Sequence, residues 1–450
     1  MNISVVGTGY VGLVSGVCLA EIGHNVVCVD NDLTKVNLIN SGKSPIYEVG
    51  LSELLSKHIN DRLQATTDLP TAVMDSELTL IAVGTPFNGD DIDLRYIEQV
   101  TKEIGDALKE KLEYHAVIVK STVVPGTTDQ LVLSLLESNS GKKAGIDFGV
   151  GMNPEFLREG SAIIDFMNPD RIVLGGIDEK TQNKLNEVYA PFINIDKLKT
   201  NNKTAEMIKY TSNSLLATLI SFSNEIGNLC ATLGDIDVQE VMKGVHLDKR
   251  VSPILENNQR ISPTLISYLE AGCGFGGSCF PKDIKALISH GKNMGKKMQL
   301  LQAVVNINNE QPKELIRLLK DNLNMQIIGC NVTVLGLSFK PKTDDIRESP
   351  AIKLITELIN EKCNVKVFDP IAMKNFRNEF SDWPILYAND MKEAISDSDA
   401  IIVVTSWEEF DKLPILVNSI QKNPLIIDGR GMFKSEDFDF YTSIGSSTKS

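Results

Sequence analysis

The chain has 450 residues, of which 42% are hydrophobic and 23% charged, and its formal net charge is −14. That is too long for one ordinary core, so two or three globular domains are expected. The negative balance argues against nucleic acid or an anionic membrane as partner, and an anionic substrate must be held by local Lys, Arg and helix N-termini.

The first residues, Met1-Asn-Ile-Ser-Val-Val-Gly7, enter a strand-like run at once, without the pattern of a secretory signal, and no apolar run reaches the length of a membrane span. Strand runs follow at 3–6, 26–30, 78–83, 117–120 and 148–151, with helical patterns between them at 11–22 and 35–39. Such alternation predicts a parallel sheet covered on both faces. Residues 203–233 form one long helical pattern without proline, read as a spine between domains. Further helical segments run to about Gln311, and Pro312 is taken to begin the next unit. The last third then repeats the first in outline. Residues 332–336 match 3–7, 365–369 match 26–30, and 397–404 match 75–82, in the same order. The fold class expected is α/β, with two Rossmann-like doubly wound parallel-sheet domains joined by a long central helix. The small polar residues from Ser443 to Ser450 are expected to fray.

Three stretches carry chemistry. Gly7-Thr-Gly9-Tyr10-Val11-Gly12 follows the first strand and opens a helix. Gly7 permits the tight turn, Gly9 close approach of a pyrophosphate, and Gly12 close helix–strand packing. Asp30 ends the second strand, where an acid binds ribose hydroxyls and repels a 2′-phosphate, so NAD is favoured over NADP. Asp369 holds the parallel place in the last domain, but no GxGxxG follows Gly336, so a different nucleotide is expected there.

The second stretch is Gly274-Phe-Gly276-Gly277-Ser-Cys279-Phe-Pro281-Lys282-Asp283. Its glycines suggest a flexible loop with exposed N–H groups, and Pro281 suits a first helical residue. Cys279 near a helix N-terminus would have its thiolate favoured. Inert burial suits Cys18, Cys28 and Cys230 better, and Cys273 is a rival that precedes the loop. With Cys330 and Cys363 the cysteines number seven, with no CxxC pair, so a reduced cytoplasmic chain without disulfides or a metal is expected.

The third stretch, Asn153-Pro-Glu155-Phe-Leu-Arg158-Glu159, spaces two acids four apart, on one face if helical. Lys209 and Asn213 share a face of the long helix, and a Glu206–Lys209 pair is the bland alternative for that lysine.

These residues resemble the UDP-glucose/GDP-mannose dehydrogenase family along nearly the whole chain. The matching stretches are GTGYVG at 7–12, SPIYEVGL at 44–51, VGTP at 83–86, STVVPGTT at 121–128, NPEFLREG at 153–160, AEMIKYTSNS at 205–214, GFGGSCFPKD at 274–283 and GLSFKPKTDDIRESP at 336–350. The resemblance implies an NAD domain at 1–200, a central helical linker and dimerisation domain carrying the catalytic cysteine at 201–311, and a UDP-sugar domain at 312–450. It implies Cys279 as nucleophile. Lys209, Asn213 and Asp283 would transfer protons and stabilise the oxyanion. Glu159 would assist thioester hydrolysis, Glu155 position the reacting groups, and Thr122 hold the water. The implied NAD contacts are Gly7, Gly9, Tyr10, Val11, Gly12, Asp30, Lys35, Thr85, Thr122, Glu159, Lys282 and Arg347. The implied UDP-sugar contacts are Glu155, Phe156, Leu157, Arg158, Glu159, Lys209, Asn213, Tyr268, Leu269, Glu270, Ala271, Gly272, Gly276 and Lys340. Arg260 resembles an arginine that crosses a dimer interface to the sugar, with Arg250 a rival.

The implied reaction is a four-electron oxidation of a nucleotide sugar through a thiohemiacetal and a thioester, with UDP-glucose favoured. Stretches such as STVVPGTT also resemble relatives acting on UDP-N-acetylmannosamine, UDP-N-acetylglucosamine or GDP-mannose. A homodimer or higher homo-oligomer is expected. A two-electron hydroxyacid dehydrogenase would share the NAD domain but have no use for Cys279, and an NAD-sensing module would need none of Cys279, Lys209, Asn213 and Asp283.

Overall fold

A computed structural model describes residues 1–89, 91–323 and 325–446, and it divides into two compact units, Met1–Ser212 and Asn213–Ser450.

The first unit contains an eight-stranded sheet. Its strands are β1 (Asn2–Val6), β2 (Asn25–Val29), β3 (Leu63–Thr66), β4 (Leu78–Ile81), β5 (His115–Val119), β6 (Phe148–Met152), β7 (Ile172–Gly176) and β8 (Lys197–Thr200), in the order β3-β2-β1-β4-β5-β6-β7-β8. β4, β5 and β6 are buried along their whole length because helices cover both faces. Side chains alternate between two cores: Val5, Leu13, Cys28 and Leu80 fill one, and Val6, Val29, Ile81 and Val119 the other. The sheet is parallel except where β6 meets β7 antiparallel, through Gly151↔Gly176 and Met152↔Gly175. A Cβ on Gly151 would lie 2.7 Å from the Gly175 oxygen, so the glycines allow that close crossing. β3 and β8 carry little of the β-branched signal that marks β1, β2 and β5, and β7 ends in two glycines, so the sequence pattern does not reveal these three.

The second unit contains β9 (Asn331–Leu335), β10 (Asn364–Phe368), β11 (Ile385–Tyr387), β12 (Ala400–Val403), β13 (Leu425–Asp428) and β14 (Tyr441–Ser443), ordered β11-β10-β9-β12-β13-β14 with every pair parallel. The first five places repeat the order β3-β2-β1-β4-β5, so the internal sequence repeat is a repeat of fold. The two aspartates also do the same local work. Asp30 accepts from Thr8 N and Oγ1, and Asp369 accepts from Leu337 N and Ser338 N, each tying down the loop after its first strand.

Two expectations need correction. Pro312 does not begin a unit: it lies inside the helix Gln299–Asn322. Leu301, Val304, Leu315, Ile316 and Leu319 are buried at helical spacing on both sides of it, and that burial outweighs the one backbone hydrogen bond a proline removes. Ser443 does not fray but ends β14, with Ile444 buried beyond it; Ser447 to Ser450 lie outside the described residues. The helix Asn202–Leu233 begins in the first unit and ends in the second. Among the described residues no helix is long and apolar enough to cross a membrane.

Candidate active site

The dinucleotide loop leaves β1 at Gly7, whose φ of +96 suits glycine. A Cβ on Gly12 would lie 1.8 Å from the Gly7 oxygen, so the helix Tyr10–Glu21 abuts its own turn, whereas a Cβ on Gly9 would meet no atom within 4 Å. The open space at Gly9, beside a helix N-terminus, fits a pyrophosphate. Tyr10 and Val11 pack on the core below. Burial alone would raise the Asp30 carboxyl; the hydrogen bonds from Thr8 and Asp32 and the charge of Lys35, 3.8 Å away, hold it below the usual carboxylate range. The Thr85 hydroxyl donates to the Thr122 carbonyl at 2.8 Å, so these two cofactor-side residues do come together. The Tyr10 hydroxyl donates to Glu48, which also accepts from Gly160 N at 2.6 Å and Ala162 N at 2.8 Å.

Beyond β6, residues 153–158 form no helix or strand, so Glu155 and Glu159 do not share a helix face. Glu155 is instead buried and pairs with Lys209 Nζ at 2.8 Å, while its other oxygen accepts from Leu157 N at 2.7 Å. Burial opposes that charge, but Lys209 outweighs it and keeps the carboxyl below its ordinary range. Lys209 does not pair with Glu206, whose oxygens accept from Gly126 N and Thr128 N. Arg158 pairs with Asp165 at 2.6 Å, and the Phe156 ring lies under Arg171 at 3.9 Å. Lys120, just past β5, donates to Asn153 Oδ1 at 2.9 Å, and burial pushes its ammonium down to about 8. Lys120, Asn153, Glu155, Phe156, Arg171 and Tyr189 line a cavity of ≈ 210 Å³.

In the second unit Cys279 is partly exposed, while the other six cysteines are buried. It caps the helix Phe280–Asn293, its carbonyl accepting from Asp283 N at 2.8 Å, with Ser278 Oγ 3.6 Å from its sulfur. The helix starts at Phe280, one residue earlier than Pro281. Buried Asp283 accepts from Asn213 Nδ2 at 2.6 Å and from Lys282 Nζ at 2.6 Å. The rival Cys273 is buried, and burial raises its thiol.

Contrary to what its composition suggested, the glycine loop is not exposed, and its backbone is held by hydrogen bonds. Residues 272–277 are buried. Asn308 accepts from Phe275 N and donates to Phe275 O, Gly277 N donates to Arg347 O, and Arg430 donates to Gly274 O. A Cβ on Gly276 would lie 2.2 Å from Glu348 O, and one on Gly277 would lie 2.7 Å from the Phe339 ring. The loop therefore lies against the 339–348 segment, which brings Lys340 and Arg347 into its neighbourhood; Arg347 itself pairs with Asp345 at 2.7 Å. Residues 268–272 lead into the loop. The Tyr268 ring is 6.5 Å from Phe280, Leu269 is buried, Glu270 exposed, and Ala271 packs on the core. Gly272 is held by Asn224 and Gln311. Arg260 donates to the carbonyls of Leu247 and Ser252, and Arg250 pairs with Asp248. Glu48, Lys120, Asn308, Gln311 and Arg430 were not foreseen; polar residues at helical core positions were the signal for Asn308 and Gln311. Among the described residues no group of three or more His, Cys, Asp or Glu could hold a metal.

Two doubly wound sheets, one with a dinucleotide loop, and a helix-capping cysteine define an NAD-dependent oxidoreductase. Family models match at residues 1–193, the UDP-glucose/GDP-mannose dehydrogenase family NAD binding domain, at 203–310, its central domain, and at 333–435, its UDP binding domain. The chain belongs to the UDP-glucose/GDP-mannose dehydrogenase family. It is 40% identical over 435 residues to UDP-glucose 6-dehydrogenase AglM of Haloferax volcanii, covering 96% of each chain. It is 41% identical over 451 residues to UDP-glucose 6-dehydrogenase TuaD of Bacillus subtilis, covering 99% of this chain and 93% of that one. Among solved structures, a UDP-glucose dehydrogenase from the hyperthermophilic archaeon Pyrobaculum islandicum matches with a TM-score of 0.89 at 38% identity, covering 99% and 98%.

Proposed function

We propose that the chain oxidises UDP-glucose to UDP-glucuronate, with Cys279 holding the half-oxidised sugar. The supporting observation is that, of seven cysteines, the one partly exposed caps a helix just beyond a buried, clamped loop. NAD supplies the acceptor for each of two hydrides. In the first oxidation the C6 hydroxyl loses its proton through water held by Thr122, Lys209 and Asp283, and a C6–H bond breaks to leave an aldehyde. The Cys279 thiolate adds to that carbon, forming a C–S bond, and Lys209 and Asn213 donate to the resulting oxyanion, a role worth about 3–4 kcal/mol per donor in other enzymes. Loss of the second hydride leaves a thioester. Water, assisted by Glu159, adds to it; the C–S bond breaks, the acid leaves and the thiolate returns. Glu155, ion-paired to Lys209, positions that lysine.

In this reading residues 1–200 hold the cofactor, the residues from 201 through the helix Gln299–Asn322 carry Cys279 and the dimer contacts, and those beyond that helix hold the UDP moiety. Leu215, Phe222 and Leu229, seven apart on the long helix and 52%, 48% and 53% exposed, support coverage by a second copy. Reduced cysteines support a cytoplasmic enzyme, and its product suits polysaccharide synthesis. The test is a panel of UDP-glucose, UDP-N-acetylmannosamine, UDP-N-acetylglucosamine and GDP-mannose. Two NADH per UDP-glucose is expected; turnover of another sugar alone moves the assignment to that sugar, and one NADH per sugar overturns the cysteine mechanism.

A further inference from the structure

We propose that Glu48 is a positioning residue for the hydrolytic half of the reaction. Glu48 lies in the stretch between the helices Leu33–Asn40 and Leu51–His58 and is 6% exposed. Its two oxygens do different jobs. Oε1 accepts from Ala162 N at 2.8 Å. Oε2 accepts from Gly160 N at 2.6 Å and from the Tyr10 hydroxyl. Gly160 has φ +80 and directly follows Glu159, and Tyr10 directly follows Gly9. One side chain therefore fixes the backbone on the C-terminal side of Glu159 and, through a phenol, the first residue of the dinucleotide helix.

The geometry requires a carboxylate. Two backbone N–H groups meet two different oxygens, and a carboxamide of the same shape offers one acceptor and points an NH₂ at the other N–H. The Gly160–Ala162 turn must then shift, and Glu159 with it. Glu159 also stands among the implied NAD and UDP-sugar contacts and Tyr10 among the NAD contacts, so binding weakens severalfold, but the larger loss falls on water attack, the step that Glu159 assists in the proposed reaction. Misplacement of a reacting group by about 1 Å costs roughly a hundredfold.

This inference rests on the reading of Cys279 and Glu159 above. The experiment mixes Glu48→Gln with UDP-glucose and saturating NAD in a stopped-flow instrument, and measures the quenched protein by intact mass. The expected result is a burst approaching two NADH per site, a steady rate lowered tenfold to a hundredfold, a UDP-glucuronyl adduct on Cys279, and a severalfold higher KM for NAD. Wild-type turnover in Glu48→Gln, or a slowed rate without burst or adduct, overturns the inference. Wild-type enzyme run alongside separates the two failures, because a wild type giving no UDP-glucuronate defeats the function itself. Should Glu48→Gln not fold, Glu48→Asp, one methylene shorter, carries the same outcomes.

Discussion

The Glu155–Lys209 pair gives a sharp energetic test. Its side chains are 5% and 3% exposed and 2.8 Å apart, and Lys120 is a second buried cation lining the same cavity as Glu155. Glu155→Gln keeps the volume and removes the charge. It leaves the buried Lys209 ammonium facing an amide, with the Lys120 ammonium in the same cavity, and the amide can serve either Lys209 or Leu157 N with its oxygen, not both. Breaking a buried pair in this way costs about 3–5 kcal/mol. Lys209→Met should cost a similar ~3 kcal/mol, because it removes the cation paired with a buried carboxylate that keeps the hydrogen bond from Leu157 N. Independent sites would then sum to roughly 6 kcal/mol or more, but partners in contact do not add. The double variant should fall at least ~1 kcal/mol short of that sum, since neither charge remains to be compensated. Urea unfolding followed by far-UV circular dichroism, with hydrogen exchange read on β5 and β6, is the assay. A Glu155→Gln chain within about 0.5 kcal/mol of wild type, or a double variant as unstable as the sum, would refute the argument.

Cys279→Ser should bind NAD and UDP-glucose as wild type does in equilibrium titrations yet form no acid, and near-normal acid formation would defeat the nucleophile. Lys120 has its pKa pushed down from 10.5 to about 8, so the unfolded chain binds more protons between those values, and this residue's contribution makes stability rise with pH there. Lys120→Met should therefore flatten the stability curve across pH 8 to 10.5, measured by urea titration, and an unchanged slope would rule the residue out. Gly12→Ala puts a methyl 1.8 Å from the Gly7 oxygen, so NAD affinity should fall more than tenfold with UDP binding intact; calorimetry giving wild-type affinity would sink the loop argument. Asp30→Ala frees Thr8 and should weaken NAD several-fold in the same experiment, and an unchanged affinity would count against the ribose role.

Local signals explain what the sequence made legible. β1, β4 and β5 are almost wholly buried and read as mainly apolar, β-branched runs, and the GxGxxG turn needs only its own glycines and the strand before it. The repeat was readable because strand, turn and terminal aspartate recur in order. β7 and β8 were not readable: Lys197–Thr200 is a polar edge strand, and Ile172–Gly176 ends in the glycines its antiparallel crossing needs. Helical spacing offers Glu206 as the bland partner of Lys209, whereas the fold sends Glu206 to Gly126 and Thr128 and brings Glu155 to Lys209 from the segment after β6. No sequence separation encodes that choice.

The same physics explains how a glycine-rich stretch comes to be buried and held on all sides. A segment without regular structure must still satisfy its backbone N–H and C=O groups once buried. Composition sees the missing Cβ atoms and infers mobility; it does not see distant side chains that supply the partners. Asn308 closes both hydrogen-bonding groups of Phe275, Gln311 and Asn224 take those of Gly272, and Arg430 takes the carbonyl of Gly274. The glycines then serve contact rather than freedom, since Gly276 and Gly277 leave no room for a methyl against Glu348 and Phe339. A nucleophile that must stay attached to one carbon through two oxidations and a hydrolysis gains from a seat fixed in this way. Asn308 and Gln311 sit on either side of one helical turn of Gln299–Asn322, which places Pro312 inside the element that holds the cysteine loop rather than at a boundary beyond it.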